Sequence, residues 1–173
     1  VIRAFRQIAD DFPELRLKLV GWKLDRDEPK RLAAGHPRIE FLGAVKHDEA
    51  MRLMSRCAVF VMGSRSEAMG RVTLEAMAAR RPIIGSAVDG IPHYVKDGFN
   101  GLLFEPGDPE DLARKLRTLL EEPELAARLA SNAYEHLHAE LDEAAFVRRF
   151  GELLDAVLPD RRGAAAASPG DGG

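Results

Sequence analysis

Cysteine is nearly absent. Cys57 stands alone in 173 residues, so no disulfide can close within the chain, and a reducing compartment is the default. Positive charge is not in excess either. The net charge is −3 with a pI near 6.0, so no basic field points to nucleic acid or to an acidic membrane. No apolar run approaches the roughly 18–20 residues of a membrane span; the stretch 58–62 has the length of a strand. No internal repeat and no signal-peptide pattern is present. The histidines form no metal-ligand cluster: His36 and His47 fall in loops, and His136 and His138 stand two apart on a helix, where they do not share a face. At 173 residues the chain suits one domain and is too short for two full nucleotide-binding domains with a cleft between them.

What is present is an alternation of short apolar runs with amphipathic stretches. Residues 1–11 place Ile2, Phe5, Ile8 and Ala9 on one helical face, and Pro13 ends that helix. Strands are expected over 15–20, 39–42, 57–62, 83–85 and 101–104. The third is apolar enough to be buried on both faces, as in a parallel sheet, and Cys57 opens it as a small core residue. Helices are expected over 28–34, 48–55, 71–80, 124–138 and 143–158, with a helical turn over 91–95. Asp108 reads as an N-cap with Pro109 at the first helical position, opening a helix to residue 120. Met51, Met54, Met69 and Met77 read as fillers of core or pocket. Strands alternating with helices imply βαβ units, hence an α/β, Rossmann-like domain with one five-stranded parallel sheet and helices on both faces. That domain is expected over 1–160. Residues 161–173, RRGAAAASPGDGG, lack bulky apolar side chains and read as a disordered tail. The chain starts at Val1, within a helical pattern and without Met, which reads as a cut.

In an open parallel sheet, ligands bind outside the carboxyl ends of the strands. The loop there that is richest in functional groups is 63–70, GSRSEAMG, leading into RVTLEAMAAR. The amides of Gly70, Arg71, Val72 and Thr73 are the unpaired donors of a helix start. With the helix dipole they suit an anion such as a diphosphate, and Arg65 and Arg71 add charge-assisted donors. Glu67 lies before the helix and Glu75 inside it, about 6–7 Å along the axis at ~1.5 Å per residue. A diphosphate at the helix start would carry one substituent toward each carboxylate. Carboxylates accept hydrogen bonds from vicinal hydroxyls, so a ribose–diphosphate–sugar layout fits. The spacing alone carries little weight, because Glu135 and Glu143 repeat it. On spacing alone, surface charge near a helix start is the blander account of Glu67 and Glu75.

The surrounding residues add to that. The run SRSEAMGRVTLEAMAARRPIIGSAVDGIPHYVKDGFNGLLFEPGDPEDLARKLRTLL resembles the donor-binding half of retaining glycosyltransferases of family 4, which have the GT-B fold. Upstream, KLVGW, IEFLGAV and MRLMSRCAVFVMGS extend the resemblance over essentially residues 1–158. It implies that Glu67 accepts hydrogen bonds from the donor sugar, and that Ala68, Met69 and Gly70 line sugar and phosphate with their backbone. The amides of Arg71 and Val72 would bind phosphate, Glu75 would hold the ribose hydroxyls, and Val45 and Lys46 would contact the base. The implied reaction transfers a sugar from a nucleotide-sugar donor to an acceptor (a sugar, lipid or small molecule) with retention, and with no metal, because basic side chains and helix amides neutralise the leaving diphosphate.

The sequence departs from the family in places. Met69 stands where a bulky aromatic is usual, Asp89-Gly90 replaces a usual Gly-Gly, and His93 replaces a customary glutamate. A change at Asp89 would alter loop flexibility; His93 reads as a surface residue. Trp22 falls where small residues are common, with packing as the default and base stacking as the alternative. The family also has a strand and a basic phosphate loop just before the first helix, and an acceptor-binding domain further upstream. Those segments are expected to precede this chain, and the strand is central in the family's sheet, so the chain is expected to lack the strand that joins its two halves. The resemblance thus implies a cytoplasmic enzyme, with contact at the inner face of the membrane weighed through Arg148, Arg149, Arg161 and Arg162 against plain solubilising charge. The rivals are a non-catalytic nucleotide-binding α/β module, which would need Glu75 but not Glu67, and a nucleotide-sugar epimerase of the same fold.

Overall fold

The computed structural model of the protein describes residues 1–21, 27–68, 70–140 and 143–157. The expectations for Trp22, Met69, Leu158, Arg161, Arg162 and the tail 161–173 lie outside them, as does the side chain of Arg149. The chain divides into two compact units, Val1–Glu135 and His136–Gly173.

The first unit alternates helix and strand throughout. Its strands are β1 (Leu17–Val20), β2 (Ile39–Gly43), β3 (Phe60–Met62), β4 (Ile83–Ser86) and β5 (Leu102–Phe104). Between and after them run α1 (Ile2–Ile8), α2 (Asp27–Ala33), α3 (His47–Arg56), α4 (Arg71–Ala78), α5 (Ile91–Tyr94), α6 (Pro109–Glu121) and α7 (Pro123–Glu140), the last crossing into the second unit. Every strand pair is parallel, as the βαβ alternation requires.

The five strands form two sheets, β1-β2 and β3-β4-β5, the two halves expected of a chain that lacks the central strand. The burial of the strands differs from the sequence reading. Leu17 stands opposite Ile39 in the first; Phe60 stands opposite Ile83, and Ile84 opposite Leu102, in the second. The strand buried on both faces is β4, all four of whose residues are buried, and not β3, which is partly exposed. The reason is position: β4 has a neighbour on each side, whereas β3 pairs with β4 alone among the described residues. β3 also starts at Phe60, so Cys57 does not open it. Cys57 caps α3 instead, its amide donating to the Met54 carbonyl. The half-buried thiol has its pKa raised by loss of solvent, against a smaller opposing pull from Arg81. His47 belongs to the first turn of α3 and not to a loop.

Helix α1 joins two cores. Ile2, Phe5 and Ala9 pack with Ala33 and Ile39. Ala4 and Ile8 pack with Ile84, Leu102 and Leu112. Its carboxyl end is closed by Arg38, whose guanidinium donates to the carbonyls of Ala9 and Phe12 at 2.7 Å each and of Pro13 at 2.9 Å. Ala9 is the C-cap of α1, one of the carbonyls a helix end leaves without an intrahelical partner; Phe12 and Pro13 belong to the turn that follows. Helix α6 starts as its sequence indicates: the Asp108 carboxylate accepts from the amides of Glu110 and Asp111 at 2.8 and 3.0 Å. Its buried stripe, Leu112, Leu116 and Leu119, follows the helical repeat. Met77 and Met54 are core residues.

In the second unit α8 spans Glu143–Val157 and carries Val147, Phe150, Leu153 and Leu154 exposed. Arg148 is also exposed there. No helix among the described residues is long and apolar enough to cross a membrane.

Candidate functional site

The loop from β3 to α4 lies at the carboxyl end of the three-stranded sheet, where a parallel sheet presents its ligand site. Helix α4 opens at Gly70, which has φ 56° and ψ 36°. An L-residue with a side chain pays to adopt that left-handed conformation; glycine does not. The turn brings Glu67 back over the helix start, and its Oε1 accepts the Gly70 amide at 3.0 Å. The Thr73 amide donates to the Gly70 carbonyl at 2.7 Å, so two of the four donors expected to face a ligand have protein partners.

Inside the helix, Glu75 is half-buried. Its Oε1 lies 3.9 Å from the Arg71 Nε, an i,i+4 pair whose arginine is largely exposed. An exposed pair of this kind is worth little in stability. Arg65, Ala68 and Val72 are exposed. Thr73 is fully buried, and among the described residues its hydroxyl has no hydrogen-bond partner. An ideal Cβ on Gly70 would stand 3.4 Å from that hydroxyl.

A second loop, between β4 and α5, is fastened to the first. The Ser86 hydroxyl donates to the Ser64 carbonyl at 2.7 Å. The Asp89 Oδ2 accepts from the Ser66 hydroxyl at 2.9 Å and from the Glu67 amide at 3.1 Å. The Gly90 amide donates to the Glu67 carbonyl at 3.0 Å. An ideal Cβ on Gly90 would stand 2.2 Å from the Ala68 carbonyl oxygen, so only glycine permits this approach. The sequence singled out Glu67 but not its supports. Asp89 drew notice only as a break in the family pattern, and Ser66 and Ser86 gave no signal that distinguishes them from other loop serines.

The expected residues therefore fall into two groups. Glu67, Ala68, Gly70, Arg71, Val72 and Glu75 form one continuous loop-and-helix unit. Val45 and Lys46 follow β2, at the carboxyl end of the two-stranded sheet, where Lys46 is the exposed N-cap of α3. Helix α3 packs against α4. No hydrogen bond or ion pair joins Val45 or Lys46 to the Glu67 loop among the described residues. His93 is exposed on α5, as expected. Among the described residues, no group of three His, Cys, Asp or Glu side chains is placed to hold a metal ion.

The chain is similar in sequence and in fold to known proteins. The sulfoquinovosyl transferase SQD2 of Arabidopsis thaliana is 36% identical over 126 residues, which are 71% of this chain and 24% of that protein. The D-inositol 3-phosphate glycosyltransferase of Streptomyces coelicolor is 32% identical over 148 residues, 79% of this chain and 32% of that protein. This chain thus spans about a quarter to a third of these relatives' length. Among solved structures, Anabaena Alr3699/HepE in complex with UDP-glucose matches with a TM-score of 0.74 and 27% identity, over 90% of this chain and 44% of that one. The C-terminal domain of the group 1 family protein LpcC from Francisella tularensis matches with a TM-score of 0.74 and 25% identity, over 82% and 77% of the two chains. Residues 1–136 match the sequence profile of the family described as "Glycosyl transferases group 1", and the chain belongs to that family.

Proposed function

We propose that this chain binds a nucleotide-diphosphate sugar as donor and forms, with an acceptor-binding domain outside it, a retaining glycosyltransferase. The observation that carries the reading is Glu67, held at the start of α4 by its bond to the Gly70 amide, with Glu75 just over one turn into the same helix. The solved complex of the related HepE with UDP-glucose supports a donor of this class.

In this reading the diphosphate lies at the α4 start, where the helix dipole and the amides of Arg71 and Val72 favour an anion. The guanidinium groups of Arg65 and Arg71 are exposed on the same loop and helix and add charge-assisted donors. Glu67 keeps one carboxylate oxygen on Gly70 and offers the other to the hydroxyls of the donor sugar. Glu75 takes the ribose hydroxyls, and the loop at Val45 and Lys46 takes the base. Ala68 and Gly70 present backbone to the sugar and phosphate. Charge developing on the leaving diphosphate meets donors already in place, and such preorganisation is often the largest single contribution to catalysis. The positive charge supplied in this way removes the need for a metal ion.

The test uses the full-length enzyme. Sugar transfer and donor hydrolysis are assayed with UDP-, GDP- and ADP-glucose, first for the unaltered protein and then for Glu67→Ala and Glu75→Ala. Both changes are expected to lower transfer by roughly 100-fold or more, the scale of losing one transition-state donor or acceptor. Full activity after Glu67→Ala would refute the assignment. Nucleotide binding indifferent to the attached sugar would favour a non-catalytic nucleotide-binding module.

A further inference from the structure

We infer that Asp89 is the positioning residue for Glu67, acting on sugar transfer through the loop it holds and not by touching the donor. The inference rests on the role proposed for Glu67. It starts from where the chain is strained: Asp89 has φ 40°, a left-handed conformation that costs a residue with a side chain, though less for Asp and Asn than for most. Residues held in such conformations persist where the surroundings over-determine them, and they gather at functional sites.

What fixes Asp89 is its carboxylate. A single oxygen, Oδ2, accepts from both the Ser66 hydroxyl and the Glu67 amide. The next residue, Gly90, returns a bond to the Glu67 carbonyl. The Glu67 peptide is thus held on both sides by one dipeptide from the neighbouring loop, and the Glu67 side chain is held by Gly70. Three of the bonds that fix this residue come from three different positions, so its carboxylate is left little freedom. The hydrogen bond from the Glu67 amide to Asp89 has a carboxylate oxygen as its acceptor, the stronger class of hydrogen bond. Ser86, buried and bonded to the Ser64 carbonyl, anchors the base of the same pair of loops.

Glycine is usual in the family where Asp89 stands, and it would fit φ 40° without strain while supplying no acceptor. In this chain the acceptor is present and the strain is tolerated, so the geometry trades backbone ease for a fixed Glu67. A misplaced catalytic group costs far more in rate than in stability, with losses of order 100-fold for a shift of about 1 Å.

Asp89→Gly therefore isolates the tether, because it relieves the backbone while removing the carboxylate. Asp89→Asn keeps an acceptor oxygen and tolerates the left-handed φ. Each is made in the full-length enzyme, alone and together with Glu67→Ala. The donor is whichever of UDP-, GDP- or ADP-glucose the enzyme turns over. Asp89→Gly is expected to keep its melting temperature and its affinity for the free nucleoside diphosphate while kcat falls roughly 10- to 100-fold. Asp89→Asn should recover most of that loss. In the Glu67→Ala background Asp89→Gly should cost less than about threefold, since coupled residues do not add. The ratio of nucleoside diphosphate to nucleotide-sugar affinity gives the same cycle when turnover is too slow to measure. Equal losses in both backgrounds, no rescue by asparagine, or full activity of Asp89→Gly would each overturn the inference. If instead Glu67→Ala is itself harmless, the reading of Glu67 fails, and the inference with it, whatever Asp89→Gly does.

Discussion

The Glu67 carboxylate accepts the amide proton of Gly70, three residues ahead, at 3.0 Å. A carboxylate before the helix thus holds the amide of its N-cap residue, Gly70, and that carboxylate is the one proposed to meet the donor sugar. The helix start and the proposed sugar site are parts of one turn, so changes to either are expected to act on both.

Gly70→Ala should show this coupling. Its φ of 56° costs an alanine about 1–2 kcal/mol. The added methyl would meet Thr73 Oγ1 at 3.4 Å and Glu67 Cγ at 3.6 Å. Calorimetry should report that loss of stability, and titration with the donor should report weaker binding of the nucleotide-sugar than of the free nucleotide. Unchanged melting and unchanged affinity would mean that the turn does not need its left-handed glycine.

Thr73→Val is expected to stabilise the protein. The hydroxyl of Thr73 is fully buried and, among the described residues, unpartnered. A buried polar group without a partner costs about 1–3 kcal/mol, and replacing it with an apolar group of the same shape recovers much of that. The melting temperature should rise, and transfer should persist because the α4 backbone is untouched. A lower melting temperature would show that the hydroxyl has a partner the hydrogen-bond geometry does not reveal, such as a buried water.

The legibility of this site in the sequence follows from what each signal depends on. Glu67, Gly70 and Glu75 lie within nine residues of one another, and a local motif with a physical reason for each position could be read directly. Asp108 and Pro109 were legible for the same reason, since capping is local. The tethers to Asp89 and Gly90 cross between loops more than twenty residues apart, and no spacing rule predicts them. The division into two sheets is not in the strand pattern; it was legible only through the resemblance, which puts a central strand before this chain. Apolar runs tell which residues form strands but not which strand lies beside which, and the assignment of double burial to β3 instead of β4 failed on that point.

The same division yields the last prediction. α1 packs its Ile2, Phe5 and Ala9 toward the core of β2 and its Ala4 and Ile8 toward the core of β4 and β5. It therefore belongs to both sheets, while β1 and β3 are each paired on one side only among the described residues. Unpaired strand edges are templates for association. We propose that a strand from the segment preceding α1 in the whole protein pairs between β1 and β3 and makes the two sheets continuous. Gly63 fits this arrangement, since an ideal Cβ there would stand 2.5 Å from Val1 Cγ2, so the end of β3 and the start of α1 are in close contact. The chain 1–173 in isolation should then melt broadly or at low temperature and associate as its concentration rises. Extending it by the preceding strand should give a sharp, concentration-independent transition. Scanning calorimetry with sedimentation analysis of both proteins checks this, and a cooperative, high-temperature melt of monomeric 1–173 would show that the two sheets need no strand between them.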